Sequence, residues 1–95
     1  MSDRLCIATG KQTRISTEDL LTCCGLTCGM GCNGGWPSGA WGYFKSKGLV
    51  TGNAYGDNSW CRPYSFPPCD HHTDETKYGP CGESKPTPSC VKTCS

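Results

Sequence analysis

Cysteines and histidines supply the reactive side chains of this sequence. Ten of its 95 residues are cysteines, and two adjacent histidines, His71 and His72, lie between Cys69 and Cys81. Thiols can pair as disulfides, bind zinc or act as nucleophiles. Imidazoles titrate near pH ~6.5, so a mildly acidic compartment makes them cations. The residue types therefore allow crosslinking, metal binding and thiol catalysis.

The cysteine content favours disulfides over a zinc site. A cysteine share above about 10% in a short chain is typical of a disulfide scaffold in an oxidising compartment. Zinc is the alternative, because cysteines recur with three intervening residues at 24–28, 28–32 and 90–94. Against it, Cys23 and Cys24 are adjacent and point apart, and the histidines lack the helical spacing of a ligand pair. We expect no metal or other cofactor, and the spacing alone leaves the disulfide pairing open.

Thiol catalysis within this chain is not indicated. A cysteine protease needs a thiolate beside a histidine that a third group orients. No cysteine here has flanking residues that mark it as a nucleophile, and the two histidines neighbour each other. The sequence therefore predicts no catalytic residue among these 95 positions.

Two segments have the composition of a binding surface. Gly34 and Gly35 lack a Cβ, so they form either a tight turn leading into Pro37 or a main-chain strip for an extended peptide. His71 and His72 lie in a polar, proline-flanked loop. They are either a solvated pair or, when charged, a site for a carboxylate.

Two helices are predicted to position these segments. The first covers 16–24, with a hydroxyl cap, acidic residues in its first turn and a stop at Gly25. The second runs from about 38 to 47, after Pro37. From Thr51 onward, glycine, proline and small polar residues predict irregular structure. The second helix carries an apolar stripe of Ala40, Trp41 and Phe44.

Composition narrows the class of protein. Only 35% of residues are hydrophobic, with 13 glycines and 7 prolines, so one domain with a thin core needs covalent crosslinks. The net charge is +1 and basic residues form no face or stripe, which argues against nucleic-acid binding. No apolar run approaches the ~20 residues that cross a bilayer. The chain opens without an apolar signal core and stops just after Cys94, so we expect a piece of a longer domain.

Five stretches of the sequence, in order along the whole chain, resemble the cathepsin B-like branch of the papain-like cysteine peptidases. The resemblance implies an α+β papain-like fold, present in part. Residues 1–95 would be a partial papain-like peptidase (C1) domain: the end of the central helix, most of the left-hand lobe, and an occluding loop at 69–81. We therefore expect a helical, loop-rich, disulfide-stapled segment. The matching stretches are 2–7, 18–24, 31–37, 61–64 and 67–72.

The resemblance also implies substrate-binding roles. Gly34 and Gly35 match glycines that hydrogen-bond the substrate backbone on the non-primed side. Trp36 and Pro37 match the wall of the neighbouring side-chain pockets, although the family often has tyrosine at the Trp36 position.

His71 and His72 match the two histidines of the family's occluding loop. These block the primed end of the cleft and grip the C-terminal carboxylate of a substrate.

The family pattern also implies how the cysteines pair. Cys6 and Cys32 would be left over, with partners upstream of Met1. The implied disulfides are Cys23–Cys90, Cys24–Cys28, Cys61–Cys94 and Cys69–Cys81.

On this resemblance the chain is a segment of a lysosomal or secreted cysteine peptidase that cleaves internal bonds and releases C-terminal dipeptides. The nucleophile, in a Cys-Gly-Ser-Cys-Trp setting, and its histidine and asparagine partners would lie outside the segment, so the piece alone should be inactive. Peptide or protein substrates are the expected partners, with a propeptide and cystatin-like inhibitors as further candidates, and neither nucleic acid nor membrane. The alternative is a free-standing secreted disulfide-rich binding or inhibitor module, in which every cysteine should be paired internally.

Overall fold

Three α-helices and two short 3-10 turns form the regular structure of the computed structural model, which describes residues 1–70, 77–82, 85–91 and 93–94. His71 and His72 lie outside the described residues. Within those ranges, extended pairing is confined to isolated bridges, and none of the helices is long and apolar enough to cross a membrane. In chain order the elements are α1 (Ser2–Thr9), α2 (Thr17–Cys23), the turns Gly25–Thr27 and Gly31–Asn33, and α3 (Pro37–Ser46).

Helix α2 begins and ends where its sequence signals predict. The Ser16 backbone is extended, and its Oγ accepts a hydrogen bond from the Asp19 N–H at 3.0 Å. This bond satisfies one of the free N–H groups of the first turn. The helix ends at Cys23, and Gly25 follows with a φ of 68°. The predicted helix at 16–24 is therefore confirmed.

Helix α3 also confirms its prediction, shifted by one residue. Pro37 occupies the first turn, where its missing N–H costs nothing, and Gly48 lies beyond the end with a φ of 76°. The Trp41 and Phe44 rings meet edge to face, with centroids 6.2 Å apart. Trp41 remains 46% exposed, so the described residues cover the apolar stripe only in part.

Helix α1 is not apparent from residue patterning, and only the resemblance to a known family places it, as the end of a central helix. Its apolar residues Leu5, Cys6 and Ile7 are consecutive, so they form no stripe at helical spacing. None of its side chains is buried. Ser2 ties the helix to the body of the molecule, because its Oγ accepts the Ile15 N–H at 3.0 Å.

The interior beside α2 is polar. Ser16, Glu18, Asp19 and Arg62 are each more than nine-tenths buried. The Arg62 guanidinium lies 3.8 Å from a Glu18 carboxylate oxygen and 3.6 Å from one of Asp19. It also donates to the Thr22 Oγ at 3.3 Å. Sequence patterning placed the two acidic residues in a first turn favoured by the helix dipole, and the structure shows that they also bind a buried cation.

Main-chain bonds extend this polar contact into the segment that follows α3. The Val50 N–H donates to Asp19 Oδ2 at 3.0 Å, and the Ser16 N–H donates to the Val50 carbonyl at 2.9 Å. The Ser16 hydroxyl donates to the Arg62 carbonyl, and the Arg62 N–H donates to the Thr51 carbonyl at 2.8 Å. Helix α2 is thus joined on one side to the otherwise irregular chain from 50 to 62.

Four disulfides close the remaining loops, and they join the same pairs that the family pattern implies. Cys6 and Cys32 form no disulfide, which disagrees with the fully paired module considered as the alternative. A disulfide sulfur has no thiolate to offer, so the eight bonded cysteines are not zinc ligands. The bonds are Cys23–Cys90, Cys24–Cys28, Cys61–Cys94 and Cys69–Cys81.

Candidate substrate-binding site

The two glycines singled out in the sequence form an edge with open main-chain groups. The Met30 N–H donates to the Gly34 carbonyl at 2.8 Å, and the Trp36 N–H donates to the Cys28 carbonyl at 2.6 Å. These bonds flank Gly35, which is the non-hydrogen-bonded position of an antiparallel bridge. At such a position the N–H and C=O point away from the paired strand. Gly35 is exposed, and neither group has a hydrogen-bond partner among the described residues.

Close backbone contact explains why glycines occupy this bridge. A Cβ added to Gly35 would overlap the Cys28 carbonyl oxygen, and one added to Gly29 would overlap the Cα of Gly35. Gly34 has open space around it, but its φ of 111° lies in the region that side chains disfavour. Spacing and backbone conformation therefore both require glycine along this edge.

An open apolar cavity of about 330 Å³ adjoins the glycine edge. Trp36, which is 60% exposed, and Pro37 lie on one side, where α3 begins. Leu20 and Leu21 of α2 and Ala40 of α3 also line it. The structure thus brings Gly34, Gly35, Trp36 and Pro37 together around a hollow that suits an apolar side chain.

The Cys24–Cys28 disulfide holds the stretch of chain that leads from α2 into this edge. Cys24 is buried at the end of α2, and its bond to Cys28 closes the short turn between them. Helix α3 packs directly on that turn, since a Cβ on Gly39 would overlap the Thr27 carbonyl oxygen. The glycine edge is therefore supported by α2, α3 and the Cys24–Cys28 disulfide.

The base of the histidine loop is held by Asp70. Its carboxylate Oδ2 accepts the Tyr78 N–H at 3.1 Å and the Gly79 N–H at 2.9 Å. The Asp70 N–H donates to the Gly79 carbonyl at 2.6 Å. Together with the Cys69–Cys81 disulfide, these bonds clamp the two ends of the loop to each other, next to where His71 and His72 follow in the sequence.

The role of Asp70 at the base of the loop was not predicted from the sequence, although a signal was present. Aspartate side chains often accept hydrogen bonds from backbone N–H groups in turns, and Gly79, close to Cys81, is a turn residue. The clamp thus fixes the loop's base independently of any charge on the histidines.

Two groups of the described chain have shifted pKa values, and neither belongs to the glycine edge. Burial raises the pKa of Tyr64 above its usual 10.0, with smaller contributions from Cys32 and Glu18. The Ser59 N–H, which donates to Asp57 Oδ1 at 3.1 Å, lowers the pKa of Asp57 below its usual 3.8. Within the described ranges, no three His, Cys, Asp or Glu side chains are grouped to hold a metal ion.

Comparisons with known proteins identify the family of this chain. Residues 1–94 match the family model of papain family cysteine proteases. The chain is 52% identical over 97 residues to cathepsin B-like cysteine proteinase 6 of Caenorhabditis elegans, covering 99% of this chain and 25% of that protein. It is 49% identical over 96 residues to cathepsin B-like cysteine proteinase 1 of Haemonchus contortus, covering 99% and 28%.

A solved structure shares the fold as well. Procathepsin B S9 from Trypanosoma congolense aligns with a TM-score of 0.69 at 38% identity, over 99% of this chain and 25% of the solved one. The chain thus spans about a quarter of the length of each of these proteins. It has the papain-like fold in part, as a helical segment stapled by disulfides, and it belongs to the papain family of cysteine proteases, among cathepsin B-like relatives.

Proposed function

We propose that this chain is the peptide-binding part of a cathepsin B-like peptidase, and that Gly35 pairs with the backbone of an extended substrate. The outward N–H and C=O of Gly35 support this proposal most directly. An extended peptide laid along them gains main-chain hydrogen bonds whatever its side chains are. The adjoining cavity beside Trp36 would then take one substrate side chain.

Bond hydrolysis is assigned to groups outside these residues. A thiolate nucleophile, a histidine base and a group that orients it are needed, and the sequence holds no such constellation. The 95-residue piece alone therefore hydrolyses no peptide, and turnover belongs to the complete parent enzyme.

The 69–81 loop is assigned the second binding role, that of an occluding loop. Its clamped base supports a fixed starting point for His71 and His72. Charged imidazoles there would hold a substrate's terminal carboxylate through charge-assisted hydrogen bonds, which are about twice as strong as neutral ones. The parent enzyme would then release C-terminal dipeptides besides cutting internal bonds.

The disulfides support an oxidising route, and we propose that the parent works in the lysosome or outside the cell. Peptide and protein substrates are the main partners. A propeptide is a further partner, in line with a proenzyme among the structural neighbours, and cystatin-like inhibitors complete the proposal.

Backbone pairing can be tested with ester-substituted peptides and the complete parent enzyme. Replacing a single substrate amide N–H by an ester oxygen removes one donor and leaves the side chains unchanged. The ester is moved along the non-primed side, one residue at a time. Loss of one N–H···O bond should lower kcat/KM by about two- to tenfold, and only at the residue that pairs with the Gly35 carbonyl.

The other ester positions are the control, because they change peptide flexibility equally. A flat profile, in which no position is more sensitive than its neighbours, would contradict pairing with Gly35. A decrease at every position would indicate a loss of peptide conformation instead.

A further inference from the structure

Thr87 contacts the turn that precedes the glycine edge from a distant part of the chain. The Cys32 N–H donates to the Thr87 Oγ at 3.0 Å, across 55 residues of sequence. The contact is tight, because a Cβ added to Gly31 would overlap that hydroxyl oxygen. Gly31 also has a φ of 57°, so its backbone too requires glycine.

Within the described residues, the turn has few bonds of its own: the Asn33 N–H donates to the Met30 carbonyl at 3.0 Å. Gly31–Asn33 is a single 3-10 turn, whose hydrogen-bond geometry is poorer than that of an α-helix. Its closing bond, from the Gly34 N–H to the Gly31 carbonyl, is long at 3.4 Å. Among the bonds of the described residues, Thr87 provides the acceptor for the central N–H of this turn.

Thr87 itself is held on both sides by contacts to the rest of the molecule. Two residues earlier, the Lys85 ammonium lies over the Phe66 ring, 5.4 Å from its centroid. Three residues later, Cys90 is bonded to Cys23 at the end of α2. The Thr87 hydroxyl can therefore act as a fixed support and does not simply follow the turn.

We propose that Thr87 is a positioning residue for peptide binding: its hydroxyl holds the Gly31–Asn33 turn so that Gly34 and Gly35 present their main-chain groups in the binding geometry. The inference rests on the proposed function of the glycine edge. Thr87 acts through the turn that it bonds, so its effect is on binding and not on the bond-breaking step.

The test uses the complete parent enzyme with Thr87→Val, which keeps the shape and removes the hydroxyl. One substrate is long enough to reach Gly35, and a second has a single residue on the non-primed side and stops short of it. The hydrogen bond is exposed, so its loss should raise KM for the long substrate by about two- to fivefold. The kcat for that substrate and the KM for the short one should stay within about twofold of wild type, as for a loss of uniform binding.

Two further variants separate positioning from general stability. Thr87→Ser keeps the hydroxyl and should restore the wild-type KM. Thr93→Val removes an exposed threonine hydroxyl that does not contact the Gly31–Asn33 turn and should change the KM for neither substrate. Should Thr87→Val fold poorly, Thr87→Ala removes the same hydroxyl without placing a methyl group at its position, and the same split is expected.

Several results would overturn the inference. These are an unchanged KM in Thr87→Val, an equal rise for both substrates, a Ser variant as impaired as Val, or Val and Ala variants that both fail to fold. Failure of the proposed function gives a different result: the wild-type enzyme itself would bind the long substrate no better than the short one.

Discussion

Arg62 is a buried residue whose loss should destabilise the lobe strongly. It is 7% exposed and lies within 4 Å of two buried carboxylates, Glu18 at 3.8 Å and Asp19 at 3.6 Å. Replacing it with methionine keeps much of the volume and leaves both carboxylates without their cation. Breaking a buried pair by removing one partner costs about 3–5 kcal/mol.

The structure places the expected loss at the lower end of that range. Each carboxylate keeps one main-chain donor after the change: the Val50 N–H reaches Asp19 at 3.0 Å, and the Ser65 N–H reaches Glu18 at 3.4 Å. We therefore expect Arg62→Met to lower the free energy of unfolding of the complete parent enzyme by about 3 kcal/mol.

Denaturant unfolding of the complete enzyme measures this effect, with Arg4→Met as the matched control. Arg4 is exposed on α1, so its replacement should cost less than about 0.5 kcal/mol. Adding Glu18→Gln to Arg62→Met should recover part of the loss, because one unpaired charge is then gone. A loss below about 1 kcal/mol for Arg62→Met, or no recovery in the double variant, would refute the reasoning.

Three further predictions concern the histidine loop, the crosslinks and the response to pH in the complete enzyme. Replacing His71 and His72 with alanine should abolish the preference for a free-carboxylate substrate over its amidated twin, and a preference that survives unchanged would contradict the assigned role. Replacing Cys23 and Cys90 with alanine should cost about 4 kcal/mol of unfolding free energy, because the bond closes a separation of 67 residues; a loss below about 1 kcal/mol in denaturant unfolding would rule out this entropic effect. Burial raises the pKa of Tyr64, so its contribution to stability is complete below pH 10.0 and is lost as pH rises through the raised value. Tyr64→Phe should therefore be less sensitive to alkali in pH-dependent unfolding, and equal sensitivity would contradict that assignment.

Local signals allowed part of the fold to be predicted. The Ser16 cap and the Gly25 stop bound α2, and Pro37 marks the start of α3, because each acts on the backbone within a turn. The glycine pair at 34–35 was identified as a candidate peptide strip on the same local grounds. Its placement opposite residue 29 could not be read from the sequence.

The contacts that join distant segments could not be predicted. Arg62 pairs with residues more than 40 positions away, and Thr87 bonds to Cys32 across 55. Neither has a neighbouring residue that marks it, since an arginine before a proline or a threonine between prolines is usual in a solvated loop. Such pairs form only where distant parts of the chain fold back against each other. In this segment the disulfides hold those parts together.

The crowded bridge between residues 28–30 and 34–36 also limits how this surface can vary. Gly29 and Gly35 cannot gain even a methyl group without overlapping the opposite backbone. Substitutions there should therefore disrupt the glycine edge and not alter its side-chain preference. Trp36 and Pro37 face the cavity and have no such constraint. Changes in side-chain preference, whether selected in nature or in a laboratory library, should therefore accumulate around the cavity while the two glycines remain fixed.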